Sequence, residues 1–204
     1  MTRQLREGKS IAFGLSQDDG FTARVVLGDL AEPEAAEWVG RIVWKLDLAE
    51  GLLGIDRWAV AVPPGVYRVD VLGYLPHSQG TWLLSRAPGG DEPPEAYWRR
   101  TRPGEAIPPT WIVQQLSPAE RRKLPLGPAE REALQRRLEA EESSWVDFVF
   151  QLTPLTGQLP MPPFAKGTRR RPSSLLDLVF EWECRKPAAC PRGLLTRDLK
   201  TLPA

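Results

Sequence analysis

Apolar and polar residues alternate with a period of two in several short runs of this chain, which is the pattern that half-buried β-strands produce. Between Gly40 and Leu48, for example, the apolar residues Ile42, Trp44 and Leu46 occupy every second position. The same alternation recurs in residues 21–27, 58–62, 66–71, 145–152 and 175–183. Because each run has one apolar and one more polar face, the pattern predicts antiparallel sheets that bury one face.

Glycine and proline residues separate the runs and indicate where the chain reverses direction. The two runs on either side of Pro63-Pro64-Gly65 are expected to pair with each other as a β-hairpin. A second hairpin is expected around Asp19-Gly20, between residues 10–15 and 21–27, because glycine accepts the positive φ of a tight turn. Roughly eight such strands predict an antiparallel β-sandwich, with a closed β-barrel as the alternative.

The clear helix signals of the sequence lie between residues 117 and 142. Ser117-Pro118-Ala119-Glu120 combines a serine N-cap, a proline at the first helical position and a glutamate that completes a capping box. Pro125 ends this first helix, and Gly127-Pro128-Ala129-Glu130 begins a second one. We therefore expect a short two-helix insertion at 117–142 that covers one end or edge of the sandwich.

The length of the chain, 204 residues, suits a single domain that spans residues 1–204. No internal repeat of fixed period divides it further. Residues 187–204 show no periodic pattern, so they are expected to form a mobile tail.

A resemblance rests on three stretches of sequence: Trp38-Val39-Gly40-Arg41, a run that ends in Leu46-Asp47-Leu48, and Val62-Pro63-Pro64-Gly65-Val66-Tyr67-Arg68-Val69. This combination resembles a pattern in uncharacterised bacterial β-rich proteins, and it extends over roughly residues 20–85. The resemblance implies a β-rich bacterial protein. It transfers no catalytic residue, because the shared motif consists of turn and strand positions.

The charge of the chain gives no general reason to expect nucleic acid or an anionic membrane as a partner, because the formal net charge is only +1. No apolar run approaches the ~18 residues needed to cross a bilayer. The first nine residues are polar and lack the apolar core of a signal peptide. We therefore expect a cytoplasmic protein without membrane contacts.

Sequence motifs for common enzymatic chemistry are absent, including phosphate-binding loops, dinucleotide fingerprints, zinc-protease motifs and the serine-nucleophile elbow. His77 is the only histidine, so the sequence gives no catalytic residue, metal site or cofactor site. Cys184 and Cys190 have neither redox-motif nor zinc-site spacing, and the sequence does not decide whether they are paired. A non-enzymatic function is the favoured interpretation.

Aromatic residues in the proline-rich stretch provide the leading candidate site. Trp98 and Trp111, with Tyr97 and Arg99, lie in irregular sequence between residues 87 and 115, and binding residues often lie on such loops. Trp44, Trp58 and Trp182 fall on apolar strand faces and are expected in the core. The leading hypothesis is a binding or interaction module for a protein or small-molecule partner. Exposed strand edges also make a homodimer plausible.

Two alternatives use charged residues. Asp177, Glu181 and Glu183 share one face of a predicted strand, and such carboxylates could perform acid/base chemistry or hold a cation. Arginines at 99–100, 121–123 and 169–171 could contact nucleic acid. Neighbouring acidic residues dilute these arginine clusters, so nucleic acid is the less favoured partner.

Overall fold

The computed structural model describes residues 2–13, 21–75, 78–141, 145–164 and 179–196. The strands are β1 (Ala23–Leu27), β2 (Gly40–Leu48), β3 (Leu52–Ile55), β4 (Trp58–Ala61), β5 (Gly65–Gly73), β6 (Phe148–Pro154) and β7 (Glu183–Cys184). The helices are α1 (Thr2–Arg6), α2 (Glu32–Glu37), α3 (Ser78–Arg86), α4 (Pro94–Thr101), α5 (Thr110–Gln115), α6 (Pro118–Lys123) and α7 (Pro128–Glu141).

A mixed five-stranded sheet with the order β1-β6-β5-β2-β7 forms the centre of the molecule. Strand β1 runs parallel to β6, and the remaining neighbours are antiparallel. Strands β2 and β5 pair along their full length, from Gly40 opposite Gly73 to Leu48 opposite Gly65. The expected alternation is visible on β2, where Ile42 and Trp44 are buried.

The residues around Pro63-Pro64-Gly65 do not form the predicted hairpin. Strand β4 pairs with β3, whereas β5 pairs with β2 and β6, so the two prolines connect two different sheets. Proline has no N–H to donate to the hydrogen bonds of a hairpin, whereas β5 pairs with β2 over nine residues. The Tyr67 hydroxyl donates a hydrogen bond of 2.7 Å to the Pro63 carbonyl and fixes this connection.

The second predicted hairpin, at residues 10–27, is also wrong in its pairing. Residues 14–20, which include the predicted Asp19-Gly20 turn, lie outside the described part of the chain. Strand β1 pairs with β6, with Ala23 opposite Phe148, and Phe13 forms an isolated bridge with Phe180. Each of the two segments therefore pairs with residues more than a hundred positions away along the chain.

The presence of extended β-sheet is confirmed, but the predicted mainly-β antiparallel sandwich is not. The large sheet is mixed, because β1 runs parallel to β6. Among the described residues the second sheet contains only β3 and β4, and helices pack where a second layer of strands was expected. Side chains of α3, α4 and α5 pack on the same core as the large sheet, among them Leu83, Trp98 and Ile112. Neither sheet closes into a barrel within the described residues.

Two paired glycines allow helix α3 to pack closely on the sheet. Gly40 and Gly73 lie opposite each other on β2 and β5. A Cβ atom on Gly40 would lie 2.7 Å from Cδ1 of Leu83, and one on Gly73 would lie at the same distance from that atom. The absence of a side chain at both positions therefore leaves room for Leu83 of α3 against the sheet.

The opposite face of the sheet is partly covered by α2 and by the C-terminal segment. Leu72, Val149 and Leu194 belong to a second apolar cluster on this side. The buried Glu34 carboxylate lies 2.9 Å from the Arg24 guanidinium. Strands β5 and β6 are consequently buried on both faces over part of their length, which their alternating sequences did not indicate.

The helices expected in the 117–142 insertion are present as α6 and α7. The capping box is formed: the Ser117 N–H donates to the Glu120 carboxylate at 2.8 Å, and the Glu120 N–H donates to the Ser117 hydroxyl at 3.3 Å. Leu134 on α7 packs with Val113 on α5 and with Leu124 between the helices. No described helix is long and apolar enough to cross a membrane.

Residues 187–196, which the sequence grouped with a mobile tail, are packed against the domain. Cys190 and Pro191 are buried, and the Val146 N–H donates to the Leu194 carbonyl at 2.9 Å. Leu195 forms a bridge with Trp145. The remainder of the predicted tail, residues 197–204, lies outside the described ranges.

Candidate binding groove

The predicted aromatic site is part of the protein interior. Tyr97, Trp98 and Trp111 lie on α4 and α5 with relative exposures of 1%, 3% and 1%. The Tyr97 hydroxyl donates to the Pro187 carbonyl, and the Trp111 indole N–H donates to the Pro191 carbonyl at 2.7 Å. Tyr97 and Trp111 therefore hold the C-terminal segment of the same chain, and all three rings are buried.

Further contacts of α4 strengthen this attachment. The Arg102 guanidinium donates to the Cys190 carbonyl at 2.6 Å, and the Cys190 N–H donates to the Thr101 hydroxyl at 2.9 Å. Arg99, the fourth residue of the predicted site, forms an ion pair with Glu95 at 2.7 Å on the helix surface. The predicted site residues thus come together, but their observed contacts are structural.

Both cysteines are free thiols and are not paired with each other. Burial raises the pKa of Cys190 to about 12 and also raises the pKa of Cys184. Because the thiolate is the nucleophilic form, neither environment activates sulfur at neutral pH. His77, the histidine that a triad would need, lies outside the described residues.

The predicted acidic site is only partly described, because Asp177 lies in the undescribed range 165–178. Glu183 lies opposite Arg41 in the register of β7 and β2, and its carboxylate is 2.8 Å from the Arg41 guanidinium. Glu181 lies near it on the same segment. Among the described residues, no group of three histidine, cysteine or acidic side chains could hold a metal ion.

The arginine clusters that the structure describes are engaged by the fold. Arg100 contacts Glu92 at 2.8 Å, and Arg121 donates to the Leu116 carbonyl at 2.9 Å. The third cluster, residues 169–171, lies outside the described ranges. Arg100 is therefore paired with a carboxylate, whereas Arg121 is bound to a main-chain carbonyl and keeps its charge at the surface.

An open groove of about 420 Å³ lies at the outer edge of β2, next to the end of β7. Its strand wall consists of Arg41, Ile42 and Val43 from β2, with Arg68 from β5 beside them. Residues 159–163 and 181–183 form the remaining walls.

Some main-chain N–H and C=O groups at this edge of β2 have no hydrogen-bond partner among the described residues. Hydrogen-bonding groups of successive residues in a strand point to opposite sides. Arg41 pairs with Glu183, and the Asp47 N–H donates to the Gly8 carbonyl at 2.7 Å, so odd-numbered residues of β2 point away from β5. Between these two contacts lie Val43 and Lys45, whose main-chain groups have no strand partner among the described residues.

The groove opens because the chain leaves β2 upstream of β7. The Glu181 N–H donates to the Pro163 carbonyl at 2.8 Å, although continued pairing would direct it toward Val43. Phe180 forms its bridge with Phe164. Of the strand predicted at 175–183, residues 175–178 lie outside the described ranges. Within residues 179–183, only Glu183 pairs with β2, and the departure upstream of it leaves space beside Val43.

The wall opposite the strand is apolar and rich in proline. Pro160, Pro162 and Pro163 have no N–H, so they line the groove without donating to the edge of β2. Met161 lies between them with 44% exposure. The buried Trp182 ring contributes a further apolar surface.

The charges at the groove are balanced and mostly paired. Two arginines and two glutamates line the groove: Arg41, Arg68, Glu181 and Glu183. Arg68 donates two hydrogen bonds, of 2.7 and 3.0 Å, to the buried Asp70 carboxylate, and this contact raises the pKa of Arg68. An occupant of the groove therefore meets little net charge.

The alternation at 40–48 predicts strand β2, but no sequence pattern predicts the groove beside it. The groove depends on the contact between Glu181 and Pro163, two residues for which no local pattern predicts proximity. The run of prolines at 160–163 was the available signal. No family model matches the chain, and no curated protein or solved structure is significantly similar to it.

Proposed function

We propose that this protein is a non-enzymatic binding module that accepts an extended peptide segment of a partner protein along the open edge of β2. The observation that carries the proposal is the outward-facing main chain of Val43, which lines the groove, and of Lys45, the next outward-facing residue along β2. Both are unpaired within the described part of the chain. Their four main-chain groups match an added strand, which is a common mode of peptide recognition. The peptide would continue the sheet where β7 ends.

The walls of the groove define the chemistry of this peptide. Side chains of an added strand alternate between the two faces of the sheet. On one face they would meet Trp182 and Leu159, which favour an apolar residue. On the other face they would meet Arg41 and Arg68, which already have carboxylate partners, so an uncharged polar residue suits that side.

The balanced charge also separates this function from nucleic-acid binding. Release of counterions makes nucleic-acid affinity fall steeply with salt. Binding through main-chain hydrogen bonds and apolar contacts should change little between low and high salt. A groove of this volume also falls in the ~300–1,000 Å³ range of small-molecule sites, but the open strand edge favours a peptide.

A proline at position 43 tests the proposal. The Val43 N–H points away from β5, so Val43→Pro removes the edge donor without removing a bond of the β2–β5 ladder. A linear heptapeptide is first selected from a random phage-displayed library on the full chain and then measured by calorimetry. We expect Val43→Pro to weaken its binding at least tenfold, which is about the value of one or two main-chain hydrogen bonds.

Val43→Ala is the matched control, because it shortens the side chain and keeps the N–H. Its affinity for the same heptapeptide should stay within about threefold of the parent, since no main-chain bond is lost. Failure to select any peptide, or equal affinities of the parent and Val43→Pro, would overturn the proposal. Circular dichroism of each variant confirms that the fold is retained.

A further inference from the structure

The β3–β4 hairpin exposes several uncharged side chains between the charged residues at its base and at its tip. Trp58 and Leu52 are 69% and 55% exposed. The outward face of the hairpin consists of Leu52, Gly54, Ala59 and Ala61, and all four are exposed. Its inward face contributes Leu53 and Ile55 to the core. Apolar exposed faces of this kind mark interaction sites.

The outer edge of β4 is also open. The Val62 N–H donates to the Gly51 carbonyl at 2.9 Å, so the even-numbered residues of β4 point toward β3. The main-chain groups of Ala59 and Ala61 therefore point away from the hairpin, and no described residue pairs with them. Natural edge strands are usually protected by lysine, proline or a bulge, and Trp58–Ala61 contains none of these.

We infer that β4 pairs with β4 of a second copy of this chain, antiparallel and about a two-fold axis at Val60. In this register Ala59 of each copy lies opposite Ala61 of the other, so the two hairpins form a four-stranded sheet. The small side chains of Ala59 and Ala61 create no steric conflict across the new pair. Each exposed Trp58 would lie beside Val62 of the second copy and lose contact with water.

Charge favours a second copy over an unrelated strand. Arg57 lies at the tip of the hairpin and is 81% exposed in its side chain. Glu50 lies at the base, on the turn that precedes β3, and is also exposed. Antiparallel two-fold pairing brings the tip of each hairpin to the base of the other. Arg57, which lies 4.0 Å from Asp56 of its own chain, would then lie near Glu50 of the second copy, and the two-fold axis repeats this contact at both ends of the interface.

The mass of the full chain in solution tests this inference. Light scattering after size-exclusion chromatography should give the mass of a dimer at micromolar concentration. Ala59→Pro removes the outward N–H and places a ring on the edge, so the variant should give the monomer mass. Trp82→Ser on α3 changes an exposed tryptophan elsewhere and should leave the dimer intact. A monomeric parent, or a dimeric Ala59→Pro, would overturn the inference.

A disulfide cross-link tests the register. At the two-fold axis the Val60 residues of the two copies form a non-hydrogen-bonded pair with Cα atoms about 4.5 Å apart, within the disulfide range. In a Cys184→Ser background, Val60→Cys should form a covalent dimer on mild oxidation. Ala59→Cys has its Cβ on the opposite face and lies opposite Ala61, so it should cross-link much less. Equal cross-linking of the two variants would contradict the register.

This inference is independent of the peptide groove, and the two can fail separately. Val43→Pro should leave the mass of the dimer unchanged, because Val43 lies in the other sheet. Ala59→Pro should retain the affinity for the selected heptapeptide for the same reason.

Discussion

Trp111 and Trp58 differ in how far their side chains are exposed, and in both cases the exposure is the opposite of the expected one. Trp111 follows two prolines and was expected on an exposed loop, yet it is 1% exposed. Trp58 alternates regularly on a strand and was expected in the core, yet it is 69% exposed. Local pattern alone therefore assigned both residues to the wrong environment.

The cause of the difference lies in distant partners. The Trp111 indole donates to the Pro191 carbonyl, 80 residues along the chain, and that contact fixes α5 against the C-terminal segment. Trp58 lies on a two-stranded sheet whose outer edge has no described partner. Burial of a large side chain thus follows from the elements that meet it, while alternation indicates only which side of a strand it occupies.

Truncation of both rings tests the assigned environments of Trp111 and Trp58 most directly. Trp111→Ala should lower the free energy of unfolding by about 3–5 kcal/mol, because it leaves a cavity and an unpaired carbonyl. Trp58→Ala should change it by less than about 0.5 kcal/mol when measured in urea on dilute, monomeric protein. Trp111→Phe, which keeps most of the ring and loses the indole N–H, should fall between them. Equal losses for the two alanine variants would contradict the assigned environments.

The ion pairs of Glu92 also stabilise the region around α4, by a smaller and pH-dependent amount. Hydrogen bonds from Arg100 and Lys186 lower the pKa of Glu92 to about 2, and they tie the loop before α4 to the C-terminal segment. Since the folded pKa lies below the ordinary value of 4.5, the stabilisation is complete above pH 4.5. It is lost as the pH falls toward 2.

Thermal unfolding of the parent and Glu92→Gln between pH 2 and pH 7 measures this effect. The parent should be the more stable protein at pH 7, and the difference should disappear near pH 2. Asp56→Asn in the hairpin is the matched control, because among the described residues the Asp56 carboxylate forms an ion pair only with the exposed Arg57, at 4.0 Å. A difference between the parent and Glu92→Gln that persists at pH 2 would contradict the assigned role.

The sequence predicted those parts of the fold that depend on local chemistry. The capping box at Ser117 and the buried face of β2 are as expected. Strand partners were not predictable in this way. Pro63 and Pro64 connect two sheets because β2 matches β5 over nine residues, which no turn motif reveals.

The candidate site was less predictable than the fold. Glu183 and Glu181 were named from the sequence and do line the groove, but as neighbours of Arg41 and not as a cluster of acids. Val43, which carries the proposal, has no side-chain chemistry that a sequence could indicate. Its proposed role depends on main-chain N–H and C=O groups that have no partner among the described residues. They are unpaired because residues 180–181 contact Pro163 and Phe164 instead of β2.

Hydrogen exchange of four amides on β2 in the free protein tests the open edge most directly. The N–H groups of Ile42 and Trp44 point toward β5 and pair with it, so they should exchange slowly, near the rate of global unfolding. The N–H groups of Val43 and Lys45 point away from β5 and should exchange orders of magnitude faster. Slow exchange of all four amides would show that the edge is already covered and would contradict the proposed binding site.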